Sequence, residues 1–164
     1  MLRDRNLIPL SHQHQHALAL CVRIERASPI PENNLSAWQE EITLLCKSEI
    51  AIHFDAEEKV VFPAARRFAE LNSLIAELLA DHRDLRHDFG GAEAQKMSAS
   101  DLLQFSQRLS AHIRKEERQL FERLQELLSR EELDRLGHEL AEALKSASQS
   151  CVFPNDATKL RPAK

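Results

Sequence analysis

The stretch HFDAEEKVVF, residues 53–62, has a counterpart in HIRKEERQLF, residues 112–121. Both contain a histidine, an apolar residue, a Glu-Glu pair and a final phenylalanine at matching positions. Residues four apart share a face of a helix, so the histidine and the first glutamate of each stretch form a pair one turn apart. A neutral imidazole beside a carboxylate suits a divalent cation such as iron, manganese or zinc. The repeat therefore predicts two helices that present the same cation-binding pair.

Helical phase indicates which of these side chains face the interior. At about 100° per residue, a side chain that reaches a bundle core must share the direction of its helix's apolar stripe. On the second predicted helix, His53 and Glu57 lie within the stripe and Glu58 lies to its side. On the fourth, Glu116 lies within the stripe and His112 lies at its margin. The stripes of these two helices are Leu35, Ile42, Cys46, Ile50 and Val60, and Phe105, Leu109, Leu120 and Leu127.

The first and third predicted helices each add one histidine with the same direction. His82 is bracketed by the apolar residues of the third helix, and His14 lies in the middle of the stripe of the first. In SHQHQHALAL, residues 11–20, His12 and His16 point almost oppositely to His14. Burial of unpaired carboxylates is costly, so an inward set of this kind predicts bound metal, and four histidines with two carboxylates are enough to hold two ions bridged by the glutamates. That inward set is His14, His53, Glu57, His82, His112 and Glu116.

Clusters of Pro, Gly, Asn and Ser divide the chain into helix-length segments. Four amphipathic helices with short connections predict an all-α fold, an antiparallel up-down four-helix bundle. Ser129 and Glu132 form a capping box for an extra C-terminal helix, and Pro63 is expected to end or kink the second helix. One domain then spans 1–147, followed by an irregular tail at 148–164. The four bundle helices are expected at about 11–28, 36–62, 72–91 and 100–128.

Composition limits the class of protein and its partners. The 164-residue chain is long enough for one domain, and it is 43% hydrophobic and 29% charged with three glycines and no tyrosine, which favours a helical protein. A net charge of −4 gives no reason to expect nucleic-acid binding. No apolar run reaches the ~18 residues that span a bilayer. Three cysteines without a CxxC pair, and an N-terminus without an apolar signal stretch, predict a cytoplasmic protein without membrane partners.

On these motifs the sequence resembles the hemerythrin-like, or HHE cation-binding, family. The resemblance covers about residues 10–128 and rests on SHQHQHAL, HFDAEE with its trailing VFP, DHRDLR and HIRKEERQLF. It implies a four-helix bundle that holds two non-haem iron ions, which manganese or zinc could replace, and a small ligand such as O2. In that resemblance the terminal ligands would be His14, His53, His82 and His112, and the bridging ligands would be Glu57 and Glu116.

The chain departs from the oxygen-carrying hemerythrins at two positions. Those proteins have a second histidine one turn after the helix-three histidine, where this chain has Arg86. Their acidic bridge lies five residues after the helix-four histidine, which here would be Glu117 rather than Glu116. With fewer imidazoles the metal keeps more open positions, which favours sensing, iron handling or redox chemistry over reversible oxygen carriage. Three functions therefore stay open. They are a binding or sensing module for O2, a related small ligand or iron; an enzyme acting on peroxide or nitric oxide or donating iron to damaged clusters; and a metal-free helical adaptor.

Several polar residues near the inward set have simpler interpretations. Glu49 lies on the stripe of the second helix and could bond a ligand of the centre from outside, but we expect it to extend to the rim of the bundle. We expect Glu58 and Glu117 to be solvated, with Glu117 the alternative bridging ligand. His12 and His16 lie one turn apart and are expected on a solvated face, unless a different helix-one register lets one of them replace His14. The sequence leaves open whether the chain forms a homo-oligomer.

Overall fold

The computed structural model describes residues 2–147 and 157–159. Within these residues all regular structure is helical and no strand occurs. The all-α fold that the sequence predicts is therefore confirmed. The tail predicted at 148–164 lies outside the described residues except at 157–159, which form a turn and a bend.

Five helices follow one another along the described part of the chain. Helices α1, α3 and α5 are regular, whereas α2 and α4 are continuous helices interrupted by π-helical turns. Short 3-10 turns, Glu32–Asn34 and Ala69–Leu71, precede α2 and α3. The bounds are α1 Ile8–Arg26; α2 35–65, with α-helical segments Leu35–Leu45, Ala51–Ala56 and Phe62–Ala65; α3 Asn72–Glu93; α4 99–127, with α-helical segments Ala99–Lys115 and Phe121–Leu127; and α5 Arg130–Ala143.

The first four helices form the predicted bundle. Helix α1 packs along α4, α2 packs along α3, and further contacts join α3 to α4 and α1 to α2. Because the connections between consecutive helices are short, neighbours in sequence run in opposite directions. Helix α5 packs outside this bundle, across residues 51–61 of α2.

Three π-helical turns change the direction of side chains along α2 and α4. They span Cys46–Ile50 and Glu57–Val61 in α2 and Glu116–Leu120 in α4. In each turn an N–H bonds the carbonyl five residues back, so the turn contains one more residue than an α-helical turn. Val61 is therefore fully buried, while Val60, which the regular spacing assigns to the core stripe, is only partly buried.

The π turns also correct two further expectations. In α4, Leu124 and Leu128 are buried, whereas the predicted stripe residue Leu127 is only partly buried. In α2 the helix passes through Pro63 and ends at Ala65. A proline is tolerated there because it lies in the first turn of the α-helical segment that restarts after the π turn, where its missing N–H is least costly.

Capping residues determine where several helices begin. Helix α1 begins before the predicted residue 11, because Pro9 occupies its first turn. Ser98 and Asp101 form a capping box at the start of α4, each side chain bonding the other residue's backbone N–H. Ser129 and Glu132 form the capping box of α5 that the sequence predicts.

The apolar core is divided into two clusters with a polar layer between them. The first cluster lies towards the end of the bundle that contains Trp38 and Phe105, and the second is covered by α5. Phe54 of the first cluster and Phe62 of the second both contact the ring of His82, so the two clusters approach each other at the polar layer. The α5 side chains that complete the second cluster are Leu133, Leu136 and Leu140.

Candidate metal centre

Four histidines and two glutamates from the four bundle helices meet in the polar layer. Each of them is at most 2% exposed. Their ligand atoms form two groups, and within each group all atoms lie within 4.8 Å of one another. The structure thus brings together all six inward residues of the sequence analysis. The first group is His14, His53, Glu57 and Glu116, and the second is Glu57, His82, His112 and Glu116, so the two glutamates belong to both.

The two copies of the repeated motif each contribute a histidine–glutamate pair. His53 Nε2 lies 3.2 Å from Glu57 Oε1, and His112 Nε2 lies 3.2 Å from Glu116 Oε1. Each glutamate is also the first residue of a π turn and follows its histidine by one α-helical turn. The regular helix before each π turn therefore brings the histidine and the glutamate of the pair to the same face, as the four-residue spacing predicts.

The single histidines of α1 and α3 approach the same two carboxylates from the other side. His14 Nε2 lies 3.2 Å from Glu116 Oε2 and 3.0 Å from His53 Nε2. His82 Nε2 lies 3.4 Å from Glu57 Oε2 and 3.7 Å from Glu116 Oε1. All four Nε2 atoms thus converge on the four carboxylate oxygens.

The second glutamate of each motif bonds the outer nitrogen of a single histidine. Glu117 Oε1 lies 2.7 Å from His14 Nδ1, and Glu58 Oε1 lies 2.8 Å from His82 Nδ1. A carboxylate at Nδ1 keeps the proton on that nitrogen and directs the Nε2 lone pair inward, as is usual for metal-bound histidines. Regular helical spacing places Glu58 and Glu117 to the side of the apolar stripe. Both residues lie in π turns, which turn their side chains towards the neighbouring histidines.

The residue before each single histidine bonds the outer nitrogen of a motif histidine. Gln13 Oε1 lies 2.8 Å from His53 Nδ1, and Asp81 Oδ2 lies 3.4 Å from His112 Nδ1. All four imidazoles therefore have an oxygen partner at Nδ1. Three partners are carboxylates and the fourth, Gln13, is a neutral amide.

The final phenylalanine of each motif packs against the histidine that the second glutamate bonds. The Phe62 and His82 ring centres are 5.4 Å apart, and those of Phe121 and His14 are 5.7 Å apart. The matched positions of the repeat thus have matched roles, and an approximate twofold relation connects α1 and α2 with α3 and α4. This relation is broken where Gln13 corresponds to Asp81.

The three outer carboxylates each bond a cation on the side away from the centre. Arg86 lies 2.7 Å from Glu58, Arg3 lies 2.7 Å from Glu117, and Lys115 lies 2.8 Å from Asp81. These ion pairs are partly exposed and lie on the outer side of three of the four histidines, His14, His82 and His112.

Charge within the layer shifts the pKa values of its residues. Burial disfavours a charged ring, but the nearby Glu116 and Glu117 carboxylates outweigh it and raise the pKa of His14 to about 9. Burial is likewise outweighed at His82, where the Glu116 and Glu57 carboxylates raise the pKa to about 10. Burial favours the neutral acid at Glu117, yet hydrogen bonds from His14 and Ser11 lower its pKa to about 2. The layer therefore keeps its carboxylates ionised.

The central polar atoms fit bound cations. Both oxygens of Glu57 and of Glu116, and the Nε2 atoms of His82 and His112, are buried without a hydrogen-bond partner. Buried carboxylates without such partners are costly unless a cation compensates them. Two imidazoles with shared carboxylates are a borderline donor set that accepts iron, manganese or zinc.

Three expectations about neighbouring residues were wrong. Glu58 and Glu117 are not simply solvated but bond ligand-type histidines, and the Glu-Glu doublet in both motif copies is the sequence signal that could have shown this. Glu49 does not extend to the rim: it is 2% exposed, and Oε2 lies 2.9 Å from His16 Nδ1. His16 and His12 are exposed, as helical phase predicts.

The fold and the layer together define a helical-bundle protein whose buried His and Glu groups could hold metal ions. The family model described as hemerythrin HHE cation binding domain matches residues 9–124. The chain therefore belongs to the hemerythrin HHE cation-binding domain family, as the motifs predict. Searches of curated proteins and of solved structures each found no match. Among the described residues, no helix combines the length and apolar character needed to cross a bilayer.

Proposed function

We propose that this chain is a non-haem di-iron protein that binds O2 or a related diatomic ligand at a carboxylate-bridged centre. The observation that carries this proposal is that all four oxygens of Glu57 and Glu116 are buried, lack hydrogen-bond partners and are shared by two histidine pairs. Two bridged ions would satisfy all of these oxygens. The ligands would be His14 and His53 for one ion, His82 and His112 for the other, and Glu57 and Glu116 as bridges.

Iron in this donor set would supply two adjacent redox-active ions with open coordination positions, since four protein ligands per ion leave room for more. The residues of the chain determine the rest. Oxygen partners at Nδ1 hold the Nδ1 proton of each imidazole, so that Nε2 would be the nitrogen that binds the metal. Phe54, Phe62 and Phe121 form an apolar wall around the histidines. This wall disfavours charged ligands and admits small apolar ones.

The enclosure of the centre supports a diatomic ligand. No side chain of the six exceeds 2% exposure, so a large substrate has no direct contact with them. Arg86, at the position of the extra histidine of oxygen carriers, bonds Glu58 and Asp55 instead of entering the layer. This arrangement supports sensing or redox use of the ligand rather than bulk oxygen carriage. Cys21 and Cys46 are free thiols, which suits the reducing cytoplasm that we propose as its location.

Metal analysis and visible spectroscopy of anaerobically purified protein test this function. We expect two iron ions per chain and a spectral change when O2 or nitric oxide is admitted. Glu57→Gln and Glu116→Gln should lose iron while keeping their helical content by circular dichroism. The matched control Glu70→Gln, on the surface beside Arg123, should retain it. Absence of iron in the native protein, or unchanged iron in both variants, would contradict the proposal.

A further inference from the structure

A cavity of about 760 Å³ lies beside the candidate centre, and the proposed function gives it no role. It is bounded by the first half of α1, by Glu49 on the first π turn of α2, and by Leu144 and Ala147 after α5. Three of its lining side chains are of metal-ligating type, namely His12, His16 and Glu49. They are separate from the six residues of the centre.

Glu49 and His16 form a pair of donors at this cavity. The Glu49 carboxylate is 2% exposed, and its two oxygens lie 2.9 and 3.2 Å from His16 Nδ1. The side chain of His16 is 55% exposed. A buried carboxylate and an accessible imidazole are the same donor types as those of the centre, and together they suit a partly hydrated divalent cation.

The cavity also reaches His53, the one histidine of the polar layer at which no ion pair between described residues lies on the outer side. Gln13 lines the cavity and accepts a hydrogen bond from His53 Nδ1 at 2.8 Å. At the other three histidines, the outer partner is a carboxylate that already bonds Arg3, Arg86 or Lys115. An ion pair thus already occupies the outer side of the layer at those three histidines, whereas the outer partner of His53 is the neutral Gln13.

Among the described residues that line this cavity, Arg5 is the one strongly basic side chain. Its guanidinium is 75% exposed and lies 3.0 Å from Asp134 Oδ1. Because it is solvated and paired, its charge acts on the cavity less than the buried Glu49 carboxylate does. The inner wall of the cavity is therefore suited to a cation.

We propose that this cavity is the route by which divalent cations reach the centre. His16 and Glu49 form a transit site, and Gln13 is the last side chain between the cavity and His53. A cation displaces the hydrogen bond between His16 and Glu49, is held there briefly, and passes to the half of the centre formed by His14 and His53. The inference rests on the proposed dinuclear centre, and its test distinguishes the two.

Co²⁺ uptake by the metal-free full chain, followed as visible absorbance in a stopped-flow instrument, tests this route. In Glu49→Gln and His16→Gln we expect the second-order rate constant to fall by at least about fivefold, because a steering charge or donor is lost. The final absorbance should still correspond to two Co²⁺ ions bound per chain. The matched control is Glu77→Gln, which removes one charge beside Lys115 at another histidine and should load at the native rate.

The outcomes separate the two proposals. Native protein that takes up no Co²⁺ would overturn the dinuclear centre itself. Native protein that takes up two Co²⁺, with Glu49→Gln and His16→Gln loading as fast as Glu77→Gln, would overturn the access route alone. A lower final Co²⁺ content in Glu49→Gln at an unchanged rate would also contradict a transit role.

Discussion

The histidines of the centre depend on residues that do not themselves reach the proposed ions. Glu58 bonds His82 Nδ1, and on its other side it bonds Arg86. Burial favours its neutral form, but the hydrogen bonds from His82 and Arg86 outweigh it and lower the pKa of Glu58. Glu58 is therefore ionised at neutral pH and strengthens the donor character of the His82 ring.

Glu58→Gln tests this dependence. The amide can still accept a hydrogen bond but carries no charge, so we expect metal affinity to fall about tenfold or more, in line with other outer-partner substitutions. Asp55→Asn is the matched control, because Asp55 also bonds Arg86 but contacts no histidine of the centre. Competition titration with a chromophoric chelator measures the metal affinity of both variants. Equal affinities in the two variants would show that the Glu58 charge does not act on the centre.

Within the helices, the regular 3.6-residue spacing of buried side chains holds only outside the π turns. Helix α3 has none, and the apolar residues that bracket His82 on this helix, Ile75, Leu78, Leu85 and Phe89, are all buried. In α4 the periodicity holds up to Glu116 and the buried positions shift after it, whereas α2 already contains the π turn Cys46–Ile50 before Glu57. The extra residue of the π turns that begin at Glu57 and Glu116 lets one glutamate face the centre and the next bond a histidine of another helix.

The position of α5 against the N-terminal segment depends on a close approach between Gly137 and the Asn6 side chain. A Cβ atom on Gly137 would overlap the Asn6 side chain, while Asp134 and Arg130 of the same helix bond the N-terminal segment at Asn6 and Asp4. A side chain at residue 137 would therefore displace α5 from that segment.

Gly137→Ala should lower the free energy of unfolding by about 1–3 kcal/mol, the usual cost of overpacking. The control is Gly90→Ala in α3, where an added Cβ has no neighbour within 4 Å. That change should stabilise the protein by up to about 1 kcal/mol through helix propensity. Urea denaturation at matched metal content measures both variants. A Gly137→Ala protein as stable as Gly90→Ala would contradict the close packing.

For the whole molecule, the polar layer couples metal binding to protonation. Without metal, the pKa of His14 is about 9 and that of His82 about 10, so both rings are protonated at pH 7. Ligation through Nε2 requires the neutral ring, and binding therefore releases protons.

We expect metal affinity to rise as the pH increases from 7 to about 9 and to level off above about 10, where both rings are already neutral. Titration calorimetry at pH 7 in two buffers of different ionisation enthalpy should show the release of nearly two protons. Affinity that is unchanged between pH 7 and pH 9 would contradict the raised pKa values.

The apolar pattern and the motifs of the chain are enough to predict the four amphipathic helices, the capping box of α5 and the family. The same pattern predicts the six inward residues, because helical phase is a local property that the apolar pattern records. The hydrogen-bond partners of those residues become apparent only when the helices pack together. Glu58, Glu117, Gln13 and Asp81 each bond a histidine on another helix, and such contacts depend on π turns and on helix packing that no single-helix pattern contains. The same packing formed the cavity at Glu49, where regular periodicity predicts only a rim residue.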